Sequence, residues 1–216
     1  MMQKRGATEE LDALRTLYRK IGKDIESRLL EFEAVWKKGD DRAIFAELVF
    51  CIFTPQSKAT SCWAAVERVC DANLLIEGSA ADIASMLKGV RFHNTKAARV
   101  VEARKHLNGL KARIAGFGGP AEAREWLVEN VNGMGYKEAS HFLRNIGMGR
   151  DIAILDRHIL KNLVRLGVIA EVPRHISPKI YLEIEARMKI FSEKERIPMG
   201  HLDILLWYRE TGGIFK

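Results

Sequence analysis

Cysteine is scarce in this chain and confined to its first third. Cys51, Cys62 and Cys70 are the only three in 216 residues. An odd number on apolar, helix-patterned segments excludes a disulfide framework. Their separations match no common zinc pattern, so they read as small buried hydrophobes in a reducing compartment. Long apolar runs are also missing. No segment approaches the roughly 18 uninterrupted apolar residues of a membrane-spanning helix. The opening MMQKRGATEEL has no apolar core of the kind a secretion signal needs, so a cytoplasmic location is expected. There is no convincing alternation of apolar and polar residues, no internal repeat and no low-complexity tract, which argues against a sheet or a repeat array.

What is present is a basic, helix-patterned chain. The composition is 47% hydrophobic and 29% charged, with a net charge of +7. That sign favours a polyanionic partner in encounter and non-specific affinity, without specifying one. Leu11, Leu14, Tyr18, Ile21, Ile25, Leu29, Phe32, Val35 and Trp36 recur at three- and four-residue spacing. They predict a long opening helix, broken near Gly22. Asp40 and Asp41 supply N-cap chemistry for a second helix through Ala43 to Phe53, whose run ELVFCIFT reads as buried. Further helices are expected over SKATSCWAAVERV, after a capping box of Ser79 and Asp82, and as one long basic helix from Thr95 to about Ile114. Pro120 is placed to open the next helix. Ser177 and Pro178 start a helix to Phe191, and a last one covers about Gly200 to Glu210 and ends in TGG. The expected fold class is all-α.

The most informative stretch is NGMGYKEASHFLRNIG, Asn132 to Gly147, followed by ILDRHIL, Ile154 to Leu160. A helix ending near Glu129, a turn containing Gly133 and Gly135, and a helix from Tyr136 make a helix–hairpin–helix. Glycines permit positive φ and close backbone approach, and a helix N-terminus attracts anions through its free N–H groups and dipole. Gly133, Met134, Gly135 and Tyr136 are therefore candidate contacts to a nucleic-acid backbone, and such contacts carry no base information. The same spacing also suits an ordinary helical hairpin. Lys137 follows the turn, and Asp156 lies beyond the end of that helix near the start of the next. A lysine amine can attack a sugar C1′ and form an imine, while a carboxylate offsets the positive charge of the breaking glycosidic bond. Asp156 equally suits the N-cap of the following helix, and the two roles are compatible.

GMGYKEASHFLRNIG together with AILDRHIL resembles the helix–hairpin–helix DNA glycosylase superfamily. Within it the chain looks like the archaeal-type, second class of 8-oxoguanine DNA glycosylase/lyase. LVFCIFTPQSKA, VRFHNTKAARVVEAR and the end LDILLWYRETGGIFK extend the likeness over about residues 9 to 216. The resemblance implies two helical lobes, approximately 1–40 plus 150–216 and 41–149, with the active site in the cleft between them. It implies Lys137 as Schiff-base nucleophile and Asp156 as the essential carboxylate. It also implies that Lys216, by side chain or terminal carboxylate, reads the damaged base. Phe92 and Trp207 would be planar walls for an everted base, with Gln56 and Asp203 as polar contacts. Endonuclease III-like members of the superfamily carry four clustered cysteines late in the chain. Here none follows Cys70, so no iron–sulfur cluster of that kind is expected. A monovalent cation on the turn carbonyls of the hairpin is the one cofactor the resemblance leaves room for.

The expected partner is double-stranded DNA containing oxidised guanine, gripped by the hairpin and by the basic segment from Lys96 to Lys105. No membrane partner and a monomeric state are expected. Two alternatives remain open from the residues: a glycosylase/lyase for another oxidised base, and a non-catalytic DNA-binding module, which would bind duplex in a salt-sensitive way without cutting it.

Overall fold

The computed structural model describes residues 2–216, with side chains from Thr8 onward. Among the described residues there are eleven α-helices, one short 3-10 turn and no strand. The chain divides into two compact units, residues 1–31 with 149–214 and residues 32–148 with 215–216.

The unit of residues 32–148 and 215–216 is built around α2, Asp41–Phe53. Ile44, Phe45 and every residue from Leu48 to Phe53 are fully buried, so beyond its exposed first turn this helix is enclosed. A helix apolar on every side must be surrounded, and it packs against α3 (Ala59–Asp71), α5 (His93–Ala103), α6 (Leu110–Ala115) and α8 (Tyr136–Asn145). Its start is set by Asp40, whose carboxylate accepts from Ala43 N at 2.9 Å. The box of Ser79 and Asp82 opens α4, Ala80–Met86, and Pro120 is the first residue of α7, Pro120–Asn130.

The long basic helix expected from Thr95 to Ile114 is not continuous. It runs as α5, then the 3-10 turn Arg104–His106, then α6. Two long-range anchors impose the break. Arg104 turns inward and donates to the carbonyls of Leu75 at 2.9 Å and Leu74 at 2.7 Å. Asp41 accepts from the N–H groups of Gly109 and Lys111, both at 2.7 Å, and Gly109 takes φ +79° to allow it.

The other unit combines the first part of α1 (Met2–Lys38) with α9 (Arg157–Arg165), α10 (Pro178–Glu195) and α11 (Met199–Thr211). Leu14, Ile21, Ile25 and Leu29 form the buried stripe of α1 there, and α11 is buried from Met199 to Leu206. Gly22 does not break α1. A Cβ on it would stand 3.2 Å from the ring of Tyr18, whose hydroxyl meets Nδ1 of His201 at 3.1 Å, so the glycine makes room for that ring. Helix α10 runs past Phe191, because Ile197 N–H caps the carbonyl of Ser192 only after Arg196 adopts a left-handed conformation.

Candidate active site

The hairpin closes through local hydrogen bonds. Met134 N donates to Val131 O at 3.1 Å, and Gly133 takes φ +88° to turn the chain. The side chain of Arg99 lies against Gly133 so closely that a Cβ there would be 2.7 Å from it. Gly135 is the N-cap of α8, and its N–H meets Glu138 Oε2 at 3.3 Å. Two of the turn's N–H groups are thus engaged within the hairpin. The first N–H groups of α8 lie beyond the reach of any helical carbonyl, the setting in which a helix N-terminus attracts an anion. The Tyr136 hydroxyl donates to the Glu125 carboxylate at 2.6 Å, and its ring lies over the buried Arg124 guanidinium. Burial and the Glu125 carboxylate push the Tyr136 hydroxyl up to about 12. Its side chain therefore rivets the hairpin.

Lys137 occupies the first turn of α8. Its side chain is 26% exposed and its ammonium has a long contact, 3.7 Å, to Glu138 Oε1. One turn further along the same face stands His141, buried beside the Phe50 ring at 5.4 Å between centroids. Burial, then the nearby cations Arg144 and Lys137, hold His141 well below its ordinary pKa, so the imidazole is neutral. Beyond it Asn145 donates to Glu47 Oε2 at 3.2 Å and accepts from Arg144 at 3.2 Å. The other Glu47 oxygen is bonded by the Lys216 ε-amine, which also sits 3.2 Å from the centre of the Trp63 ring. Residues 137, 141 and 145 of α8 thus form a polar stripe along one face of the helix.

Two exposed turns in this unit carry further expected site residues. Gln56 and Phe92 are both exposed, Phe92 by 55%, and both hold left-handed backbone, φ +56° and +57°. That conformation costs a non-glycine residue about 1–3 kcal/mol, so something must fix it. Lys96 does so. Its amine donates to Phe53 O and Pro55 O at 2.7 Å each and to Ser57 Oγ at 3.1 Å, while Arg91 N donates to the same Ser57 Oγ at 3.0 Å. Lys96 is consequently buried and does not grip phosphate, against the expectation for the Lys96 to Lys105 segment. The Arg91 guanidinium stacks on the exposed Phe92 ring at 5.4 Å.

In the other unit Asp156 is the N-cap of α9, with Oδ1 accepting from Ile159 N at 2.8 Å. The extended segment before it is clamped from α10. Tyr181 donates to Ala153 O at 2.6 Å and accepts from Leu155 N at 3.2 Å, and Glu185 accepts from Ala153 N at 2.7 Å. The half-buried carboxylate is therefore held in one orientation. Trp207, on α11, packs edge-on against His158 of α9 at 5.3 Å, and Asp203 lies buried one turn before it.

Glu47, Trp63, His141, Arg144 and Asn145 were not singled out from the sequence. Only His141 had a usable signal, since its i,i+4 relation to Lys137 is readable within one helix. No group of three or more His, Cys, Asp or Glu side chains that could hold a metal ion occurs among the described residues. No helix among them is long and apolar enough to cross a membrane.

Comparison with known proteins gives these groups a context. The family profile of 8-oxoguanine DNA glycosylase matches residues 25–197. The 8-oxoguanine DNA glycosylase/AP lyase of Fusobacterium nucleatum is 45% identical over 96% of this chain and 98% of its own. The Korarchaeum cryptofilum protein of the same name is 40% identical over 95% and 96%. Among solved structures, the 8-oxoguanine DNA glycosylase of Thermotoga maritima superposes with a TM-score of 0.89 at 34% identity, covering 97% of this chain and 100% of that one. The Methanocaldococcus jannaschii 8-oxoguanine glycosylase/lyase, solved with a 15mer DNA containing 8-oxoguanine, gives 0.89 at 34% over 95% and 99%. A Helicobacter pylori 3-methyladenine DNA glycosylase shares the fold alone, at 15% identity and a TM-score of 0.58. A hairpin that presents a lysine at the head of α8 and relatives matched along nearly their whole length point the same way: the chain belongs to the helix–hairpin–helix family of 8-oxoguanine DNA glycosylases.

Proposed function

We propose that this protein excises 8-oxoguanine from duplex DNA and then cuts the strand, as a bifunctional DNA N-glycosylase and abasic-site lyase. The lesion base is everted from the stack for the chemistry. The Lys137 amine, deprotonated, attacks C1′, and the bond from C1′ to the base nitrogen breaks as the base leaves. Asp156 offsets the positive charge that develops on the sugar. Loss of a proton from Nζ and opening of the sugar ring give an imine. The imine acidifies C2′, and loss of a C2′ proton expels the 3′ phosphate by β-elimination, on the 3′ side of the former lesion.

The observation that carries this reading is the setting of Lys137. It stands at the N-terminus of α8, where phosphate is attracted, with only a long contact to Glu138. The backbone of Gly133, Met134, Gly135 and Tyr136 would lie along the DNA strand, while Phe92, Gln56, Trp207, Asp203 and Lys216 would recognise the base. Phe92 supports this assignment by its exposure, since an unneeded exposed phenyl ring in strained backbone would be doubly unfavourable. A monovalent cation on the turn carbonyls fits a site whose ligands are oxygen alone, and it would stiffen the turn against phosphate. The enzyme would act as a monomer in the compartment that holds the chromosome, the cytoplasm.

Borohydride trapping on a duplex bearing 8-oxoguanine tests the proposal. A covalent adduct in the unmodified protein and none in Lys137→Gln is expected. No adduct in the unmodified protein, or an equal one in the variant, would refute the imine route.

A further inference from the structure

The Lys216 side chain ends in a built receptor. Its ammonium bonds Glu47, packs 3.2 Å above the centre of the Trp63 ring and lies 5.9 Å from that of Phe50. Trp63 and Phe50 meet edge-on at 5.7 Å, so the two rings make a fixed wall. Side-chain exposure is 14% for Lys216 and 4% for Glu47. Asn145 holds the second Glu47 oxygen at 3.2 Å, and Arg144, stacked on Phe32, orients Asn145. A lysine side chain with four rotatable bonds loses much entropy when held this way. An aromatic face plus a bonded carboxylate is the arrangement that fixes an ammonium strongly once water is excluded.

We propose that Glu47 and Trp63 are specificity-determining positioning residues, which lock the Lys216 side chain so that it can discriminate the lesion base from guanine. This rests on the proposed function, and in particular on the base-reading role of Lys216. The polar character of Glu47 supports it. A carboxylate buried on α2, which is apolar at every other position from Ala43 to Phe53, is expensive unless its partner is worth the cost. Burial raises the Glu47 carboxyl above its ordinary range, and the Lys216 ammonium and Asn145 act against that rise. The carboxylate therefore depends on Lys216 as much as Lys216 depends on it. Recognition of a base edge demands a donor or acceptor placed within a few tenths of an ångström, which a free lysine does not offer.

The experiment compares Glu47→Gln, Trp63→Leu, Lys216→Met and the double variant Glu47→Met/Lys216→Met with the unmodified protein. Single-turnover rates are measured on 8-oxoguanine duplex and on duplex with a preformed abasic site. Each single variant should lower the ratio of lesion excision to abasic cleavage, by about tenfold for loss of one partner of a buried charged hydrogen bond. The double variant should be no worse in this ratio than Lys216→Met. Its melting temperature should exceed that of either variant missing one charge, because no buried charge is left unpaired. Equal loss on both substrates, or losses in ratio that multiply in the double variant, would overturn the proposal, since either marks a merely structural role. If Glu47→Gln does not fold, Trp63→Leu and Lys216→Met decide the same question. Absence of any excision by the unmodified protein would instead strike the function itself. Normal excision with unchanged ratios in the variants would strike the positioning role alone.

Discussion

Lys96 and Lys137 stand in the same unit, each near the start of a helix, and share a formal charge. Lys96 has three oxygen acceptors within 3.1 Å and almost no exposed surface. Lys137 is a quarter exposed and, among the described residues, makes one ion pair, at 3.7 Å. An ammonium that donates to two carbonyls and a hydroxyl is a structural cross-link, tied in place even though burial lowers its pKa. An amine with one loose partner is free to swing to a carbon atom. Lys96 builds the turn that carries Gln56, and Lys137 is the amine that the proposed chemistry needs. The number of acceptors around the nitrogen separates the two roles.

The sharpest way to break this contrast is to exchange the expected losses. Lys137→Gln should abolish borohydride trapping and lower strand cleavage by about 10³-fold or more, as for removal of other covalent nucleophiles. Its melting temperature should barely move, since a partly exposed lysine is removed. A residual adduct in that variant would transfer the nucleophile to another amine, and Lys96 would be the first to test. Asp156→Asn comes next. Asparagine preserves the cap on Ile159 N, so α9 should remain stable while excision falls by about 10²–10³-fold through lost charge. Asp156→Ala should show the same kinetic loss plus about 1 kcal/mol of destabilisation. If Asn and Ala variants lost the same stability, the capping role would be wrong. If Asn retained full activity, the electrostatic role would be.

Lys96→Met should invert the pattern seen at Lys137. One buried and two half-buried acceptors would lose their donor, which costs about 1–3 kcal/mol in chemical denaturation. The covalent adduct with abasic DNA should still form at Lys137 at low temperature. An intact melting temperature would mean that the Gln56 turn holds itself in left-handed backbone without Lys96.

Much of this was legible in sequence wherever the physics is local. Asp40, Ser79 with Asp82, Pro120, Ser177 with Pro178, and Asp156 as a cap were all readable, since a cap acts within three residues. The hairpin and its lysine were readable for the same reason. What was illegible depends on partners far along the chain. Lys96 reads as one more cation in a basic run until the carbonyls of Phe53 and Pro55 are known to converge on it. Glu47 reads as the polar edge of an apolar run, and only folding brings Lys216 and Trp63 to it. Gly22 looks like a break until the Tyr18 ring occupies the space it leaves.

The smallest effect concerns His141, one turn after Lys137 on the α8 face and the converse of Lys96: a titratable ring that folding keeps uncharged. Its pKa is held well below the ordinary value by burial and by the cations Arg144 and Lys137. The unfolded chain therefore takes up a proton near pH 6.5 that the folded chain refuses. Unfolding binds protons in that window, so the stability present above pH 6.5 is lost as the pH falls through it. His141→Gln removes the titration, and denaturant melts from pH 7.5 to 5 should show a flatter acid limb than the unmodified protein, whatever the offset between them. Parallel curves would mean that His141 accepts its proton in the folded state, and the neutral imidazole beside Lys137 would have to be abandoned.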